Sequence, residues 1–460
     1  MKILLITPAA EHLRVTQPGC VPRRNMLRFS ILPLTTVAAL TPPGHDVDIC
    51  DENVEPIPWD TDADLVGVSF MTALAPRAYE IAREFRLRGK KTVAGGYHPT
   101  FLPNEAGLHF DAVVAGDAEG LWPRVVEDAA AGRLEPLYRH GAAPDLALTP
   151  VARRDLMRRN AGHYATLGAV QTGRGCRHGC RYCSVTAFHG RQFRSRPIEN
   201  VLTELRSLGR EMIFVDDNII ADREYARRLF TALIPMRKRW VSQCSIEIAD
   251  DPDLLRLARR AGCMGLFIGL ESLGADNLAA MDKGFNAERD AAERLRRIHA
   301  AGIGVIAGII VGMDGDDERV FERTLRFLLR HGVDAMQLNI LSPLPGTPLF
   351  ADFERAGRIT VRDWSRYDFR HVVIRPARMS AEELQAGADW LYSRFYRLDR
   401  VLRRVGRVLW SRGPVLAWLV WRLNQTYRYD IRRERIRGWN PASAPAVAAP
   451  VVAEAAVSAA

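Results

Sequence analysis

Five short apolar runs, at 2–7, 46–51, 65–70, 92–96 and 112–115, each end in a polar or glycine-bearing turn. Between them lie stretches of helical period such as Pro76–Arg88. Short apolar runs alternating with helical stretches place strands in a parallel sheet covered on both faces, whose ligands bind beyond the carboxyl ends of the strands. The rhythm returns between Leu167 and Trp364, with runs at 169–172, 212–215, 244–248, 266–270, 304–311 and 335–341. Asp251-Pro252 opens a helix that Gly262 closes, Asn286 opens one that ends at Gly302, and Gly332 follows another over 317–331. Six strand–helix units fall short of a closed eight-fold barrel, so the pattern predicts a partial, TIM-like (β/α)6 barrel with its chemistry at the carboxyl ends of the strands. Residues 136–166 lack a clear period and are broken at Gly141, Pro144 and Pro150, the marks of a linker. Residues 365–440 turn helical, with Ser380 and Glu383 spaced as a cap. The chain thus divides into an α/β domain (1–135), the linker, the barrel domain (167–364), a helical C-terminal region (365–440) and a disordered tail (441–460) rich in Ala, Val and Pro.

Composition adds limits. The chain has 460 residues, 47% apolar and 26% charged, enough for two or three cored domains. Its seven cysteines form no repeating framework and their number is odd, which suits a reducing cytoplasm better than a secreted disulfide scaffold. The N-terminus lacks the long apolar core of a signal peptide, and no run of about 18 apolar residues predicts a membrane span. The formal charge of +10 is matched entirely by 394–437, where thirteen arginines face three acids. The remainder is close to neutral, so a general nucleic-acid footprint is not expected. Trp410, Trp418 and Trp421 lie among those arginines. That mixture suits either peripheral contact with a membrane or a solvated basic face with the tryptophans packed inward.

The densest chemistry is at 171–190, QTGRGCRHGCRYCSVTAFHG. Cys176, Cys180 and Cys183 are close enough for one loop to present three thiolates to one iron–sulfur cube, leaving an iron open to a small molecule. A zinc knob completed by His178 or His189 is the alternative, although no second cysteine pair accompanies it. Polar groups end several barrel strands: Asp216-Asp217-Asn218 the second and Glu271-Ser272 the fourth, while the fifth carries Ile306 and Gly308. Singly, these could be a helix cap, an ion pair and ordinary core. In the first domain Ser69 and Thr72 follow the third strand, and Gly95-Gly96 the fourth, where a ligand could approach the backbone closely.

The cysteine spacing, with Tyr182 before the third cysteine, resembles the radical S-adenosylmethionine superfamily. That resemblance implies a [4Fe–4S] cluster on Cys176, Cys180 and Cys183. Its open iron would take the amino and carboxylate groups of S-adenosylmethionine, cleaved by one electron to a 5′-deoxyadenosyl radical. Tyr182, Asp216, Asp217, Asn218, Glu271, Ile306 and Gly308 match the positions that hold the nucleoside, although Asp-Asp-Asn replaces the commoner Gly-Gly-Glu. The first domain resembles the flavodoxin-like, Rossmann-type cobalamin-binding domain, which implies cobalamin held by Ser69, Thr72, Gly95 and Gly96. The Asp-x-His-x-x-Gly motif is missing, so no histidine from that loop is expected on cobalt. His98 could lie near the nucleotide tail, or be a hydrogen-bonded residue of a turn.

Proteins of this organisation include hopanoid-lipid methylases and the anaerobic oxidative cyclase of bacteriochlorophyll synthesis. The expected activity is methyl transfer to an unactivated carbon of a lipid or natural product, with a flavodoxin- or ferredoxin-like electron donor and no nucleic-acid partner. A radical cyclase or rearrangement enzyme, and a cobalamin-binding sensor or carrier with a regulatory cluster, are the alternatives.

Overall fold

The computed structural model describes residues 1–16, 28–284 and 288–434. Asn286 and the tail at 441–460 lie outside the described residues. The first sheet has six parallel strands: β1 (Lys2–Thr7), β2 (Asp46–Asp51), β3 (Leu65–Ser69), β4 (Lys91–Gly95), β5 (Ala112–Ala115) and β6 (Leu137–Arg139). Their spatial order is β2-β1-β3-β4-β5-β6, the flavodoxin-like order with one strand added at the edge. Leu4, Ile6, Val66 and Val68 pack on one face, and Ile3, Leu5, Leu65 and Val93 on the other. Both faces are therefore dry, which is why these strands read as unbroken apolar runs. β6 comes from the stretch that lacks sequence periodicity; only Tyr138 of its three residues is buried.

The second sheet is an open set of six parallel strands in the order β14-β13-β12-β11-β10-β7: β7 (Ala169–Val170), β10 (Glu211–Phe214), β11 (Arg239–Cys244), β12 (Cys263–Glu271), β13 (Gly304–Val311) and β14 (Ala335–Ile340). A small antiparallel hairpin, β8 (Gly173–Gly175) and β9 (Phe193–Ser195), follows β7. This is the partial barrel that the pattern predicts, with one correction. The third strand is β11, not 244–248, which is largely the 3-10 turn Ile246–Asp250. β11 alternates buried Trp240, Ser242 and Cys244 with more exposed Val241 and Gln243, so its polar positions hide it from a search for apolar runs. Trp240 anchors it, between Phe214 and Phe230 at centroid distances of 5.4 and 5.2 Å, with Nε1 donating to Ala261 O at 2.9 Å.

The helix Ala381–Phe395 starts at Ser380 with the expected capping box. After it, Leu398–Arg412 and Pro414–Glu434 pair as a hairpin across the amino ends of the barrel strands. Arg412 grips buried Asp334 with both guanidinium amines, Arg407 donates to Gly332 O at 2.7 Å, and Asn424 donates to Asp334 O at 2.9 Å. Where the two large domains meet, Trp364 Nε1 donates to Glu105 Oε1 at 2.9 Å, which also accepts from Tyr79 at 2.8 Å. His98 is fully buried in that aromatic contact, its Nε2 2.9 Å from Tyr79 OH.

Candidate functional site

The three cysteines lie in the loop of the β8–β9 hairpin, whose strands clamp the loop at both ends. Asp216 builds the entrance: its carboxylate accepts from Thr172 N at 3.1 Å, Thr172 Oγ1 at 2.6 Å and Gly173 N at 2.7 Å. Burial pushes this carboxyl up to about 7. Asp217 Oδ2 accepts from Gly175 N at 2.8 Å, and Asn218 directs its amide at Cys176 Sγ, 3.9 Å away. Asp216 and Asn218 are thus occupied by the protein itself, whereas Asp217 keeps an oxygen unclaimed by any hydrogen bond among the described residues.

All three thiols are free. Burial pushes each of them up, Cys180 to about 11, and Cys176 and Cys180 also feel charge on Cys183. Such a trio stays ionised only beside a strong positive centre. A single zinc would need sulfurs about 4 Å apart, given bonds of about 2.3 Å. Among the described residues no three His, Cys, Asp or Glu side chains converge on a single-ion site. His178 Nε2 pairs with Glu247 at 3.1 Å, and His189 Nδ1 lies 3.2 Å from Arg194. Three thiols on one short loop can be ligands to a single iron–sulfur cluster, with one iron left open.

Against this loop, the ends of β12 and β13 form a second cluster of unusual features. Leu266, Ile268 and Leu270 of β12 are buried against the outer helices, which turns half-buried Phe267, Gly269 and Glu271 to the interior. The register slips between Gly269 and Glu271, and Glu271 has φ +64, a left-handed backbone that costs a non-glycine residue about 1–2 kcal/mol. Strain of this kind concentrates where a side chain must be aimed. Glu271 Oε1 accepts from Lys283 Nζ at 2.6 Å, and Lys283 also lies 3.3 Å from Tyr182 OH. Gly269 leaves the space for this pair, since a Cβ there would stand 2.3 Å from the Glu271 carboxylate and 2.9 Å from Lys283 Nζ. The predicted Ile306 and Gly308 pair with Phe267 and Gly269 in the same wall, and Gly308 makes way for the Phe267 ring. The structure therefore brings Tyr182 of the cysteine loop to Glu271 through their shared Lys283, beside the wall that holds Ile306 and Gly308, and brings Asp217 and Asn218 to the start of the same loop. On the neighbouring strands Gln243, Gln337 and Asn339 hold amides without hydrogen bonds to other described residues, although all are at least partly exposed.

The two glycines at the end of β4 differ in what they meet. Gly96, at φ +103, lies so close to β3 that a Cβ would stand 2.7 Å from Phe70 O and 3.2 Å from Ser69 Oγ. Gly95 has nothing within 4 Å of where its Cβ would be, and Gly116, past the end of β5, is equally open. Bare backbone thus borders an open slot at the carboxyl ends of the strands, with Ser69 beside it and buried Thr72 following β3. That is a cradle for a large ligand, at the sheet end where such folds bind one.

The slot faces the cysteine loop. Tyr97, directly after Gly96, packs at a tilt of 38° against Phe188 of the short helix Ser184–His189, with ring centroids 4.7 Å apart. Burial, then the charges of Asp217, Cys183 and Asp117, raise its phenol above the ordinary range. Below it Arg174 donates to Asp117 at 2.9 Å and to both oxygens of Glu119 at 2.8 and 2.7 Å, and Arg194 reaches Asp117 at 2.7 Å. The hairpin that holds the cysteines is thereby bolted to the end of β5. Sequence reasoning missed Lys283, Tyr97 and Arg174, whose roles depend on contacts across 12 to 101 residues.

Residues 170–328 match the Radical SAM superfamily and 32–126 match the B12 binding domain. Across 434 residues, 92% of each chain, the protein is 30% identical to the bacteriochlorophyllide d C-12(1)-methyltransferase of Chlorobaculum tepidum. It is 29% identical to the hopanoid C-2 methylase of Rhodopseudomonas palustris over 72% of this chain and 65% of that one. The fold is that of the radical S-adenosylmethionine methyltransferase TsrM from Kitasatospora setae, solved with cobalamin and a [4Fe–4S] cluster, at TM-score 0.64 and 15% identity over 95% of this chain and 99% of that one. No helix among the described residues is long and apolar enough to cross a membrane. The cysteine loop, the open slot facing it and these matches agree: the chain belongs to the radical S-adenosylmethionine enzymes that carry a B12-binding domain, with a [4Fe–4S] cluster, S-adenosylmethionine and cobalamin as cofactors.

Proposed function

We propose that this enzyme moves a methyl group from S-adenosylmethionine, by way of cobalamin, to an unactivated carbon of a lipid or natural product with a large, mainly apolar skeleton. The observation that carries this reading is the opposition of the Gly95 slot and the cysteine loop across Tyr97 and Phe188. It joins the end-to-end likeness to a methyltransferase. When bound, the cluster supplies the electron that cleaves S-adenosylmethionine, and cobalamin supplies the methyl carrier.

The chain's own residues do the rest. Cys176, Cys180 and Cys183 hold iron; Asp217 receives the methionyl ammonium through its remaining oxygen, while Asp216 and Asn218 fix the loop that presents it. Glu271, oriented by Lys283, meets the ribose hydroxyls, and Tyr182, Ile306 and Gly308 shape the nucleoside's bed. Ser69, Thr72, Gly95 and Gly96 hold cobalamin. Tyr97 and Phe188 close the space between the two cofactors against water, which protects a radical from side reactions and keeps the reacting centres in line. Gln243, Gln337 and Asn339 offer donors and acceptors to the polar edge of the substrate. A flavodoxin- or ferredoxin-like protein delivers the electrons, and the basic segment 394–437 makes peripheral contact with a membrane.

The test uses reconstituted enzyme, S-adenosylmethionine bearing a trideuterated methyl group, and two probes, bacteriochlorophyllide d and a hopanoid. A product heavier by one trideuteromethyl group, formed with both 5′-deoxyadenosine and S-adenosylhomocysteine, supports the reading. A product changed in mass only by loss of hydrogen would favour the cyclase.

A further inference from the structure

At the foot of the barrel, opposite the cysteine loop, a cleft of about 370 Å³ is lined by Arg210, Arg237, Lys238, Arg239, Arg259 and Arg260. Arg412 also borders it but is neutralised by Asp334. The other cations are nearly unopposed. Arg239 has Glu211 at 3.7 Å, and among the described residues none of the remaining five has a carboxylate partner. Arg210 and Lys238 donate to backbone carbonyls, Arg237 O and Leu208 O, and Arg259 donates to Cys263 O. Carbonyls orient these groups without cancelling their charge. Arg237 moreover has φ +50, a backbone state that a residue of its kind adopts at a cost.

The wall of the cleft formed by Gly413–Leu416 is the turn of the C-terminal hairpin. Around that turn Leu409, Trp410, Val415 and Trp418 are all exposed, Trp410 at 95%. Leu398 and Leu402 extend the exposed apolar stripe along the first hairpin helix. Six exposed large apolar side chains on one hairpin exceed the scattered single residues normal for a surface.

We propose that this foot, cationic cleft and hairpin turn together, docks on an anionic membrane surface. The cations match lipid phosphates, and tryptophan and leucine at the turn suit the boundary between headgroups and acyl chains. Nucleic acid would answer the arginines but gives the exposed leucines and valine no partner. Docking here leaves the carboxyl-end mouth of the barrel and the cobalamin slot pointing away from the bilayer, so the contact tethers the enzyme rather than feeding its active site. The proposal deepens the membrane contact of 394–437 and rests on it, but does not depend on methyl transfer.

The experiment is vesicle flotation of the full-length protein with phosphatidylcholine vesicles, with and without 30 mol% (about one lipid in three) phosphatidylglycerol. Two variants accompany it: Trp410→Ala/Trp418→Ala at the turn and Arg237→Glu/Arg260→Glu in the cleft. Unchanged thermal unfolding shows that each is folded. We expect binding to the anionic vesicles only, suppressed by salt; the arginine variant should lose at least about tenfold, because each surface cation near the bilayer is worth roughly fivefold in affinity, and the tryptophan variant at least about tenfold, because it withdraws two large rings from the headgroup boundary. No flotation of the wild type would overturn both the membrane contact and this surface. Loss in the tryptophan variant with full retention in the arginine variant would overturn the cleft while leaving hairpin contact standing. Retention of a DNA oligonucleotide in place of vesicles would overturn the docking of lipid.

Discussion

Gly95 and Gly96 stand side by side for opposite reasons, and substituting each should give opposite results. At Gly96 a methyl group meets two penalties. The left-handed backbone at φ +103 costs a residue with a side chain about 1–2 kcal/mol, and the 2.7 Å approach to Phe70 O forces a backbone shift worth about 1–2 kcal/mol more. A loss of about 3 kcal/mol corresponds to a fall in Tm of roughly 6–12 °C for a unit of this size. At Gly95 nothing lies within 4 Å, and valine is a good strand residue, so Gly95→Val should leave the Tm of the cofactor-free protein within about 2 °C. Its two methyl groups would occupy the slot instead. We expect hydroxocobalamin to bind the Gly95→Val protein at least about tenfold more weakly, a loss of about 1.4 kcal/mol or more. Thermal unfolding and an absorbance titration of the same preparations read both quantities. Wild-type cobalamin affinity in Gly95→Val would refute the slot, and an unshifted Tm in Gly96→Ala would refute the close approach.

Three other outcomes follow from the structure. Cys180→Ala should lose cluster iron after reconstitution and form no 5′-deoxyadenosine, both measurable by iron analysis and chromatography. Lys283→Met leaves the mostly buried Glu271 without its cation and should destabilise the cofactor-free protein by about 3 kcal/mol, whereas Glu271→Gln/Lys283→Met should recover most of that loss; chemical denaturation reads the difference. Asp334 supplies a pH test. Burial alone would raise its carboxyl, but His299 and Arg412 hold it down to about 2. The unfolded chain, with a carboxyl near ~3.9, binds that proton more tightly, so the stabilisation is full above about pH 4 and is lost as pH falls toward 2. Unfolding of wild type and Asp334→Asn compared between about pH 5 and about pH 3 should show the wild type losing about 1 kcal/mol more than the variant; parallel curves would contradict it.

The sequence makes legible what local chemistry encodes. Three thiolates on one short loop announce themselves by spacing, and strands buried on both faces announce themselves as apolar runs. β11 escaped because its interior positions, Val241 and Gln243, face the polar hollow that serves the chemistry, while the neighbouring 3-10 turn is more apolar than the strand. β6 escaped because an edge strand with one buried residue carries almost no pattern. Glu271 was readable as a strand-end acid, but its φ of +64 and its grip on Lys283 arise only when β12 is laid beside β13. Tyr97 and Arg174 read as an aromatic in a turn and a stray cation until the two domains close on each other. Their signal is tertiary: a buried hydroxyl and a buried guanidinium near the seam between domains.

On this reading one chain unites radical generation with methyl transfer through cobalamin. The most direct measurement is anaerobic reconstitution with iron, sulfide and hydroxocobalamin, followed by S-adenosylmethionine and reductant, with bound cobalamin, 5′-deoxyadenosine and S-adenosylhomocysteine quantified together. Tightly bound cobalamin and both nucleoside products are expected. Formation of 5′-deoxyadenosine without S-adenosylhomocysteine would contradict this reading.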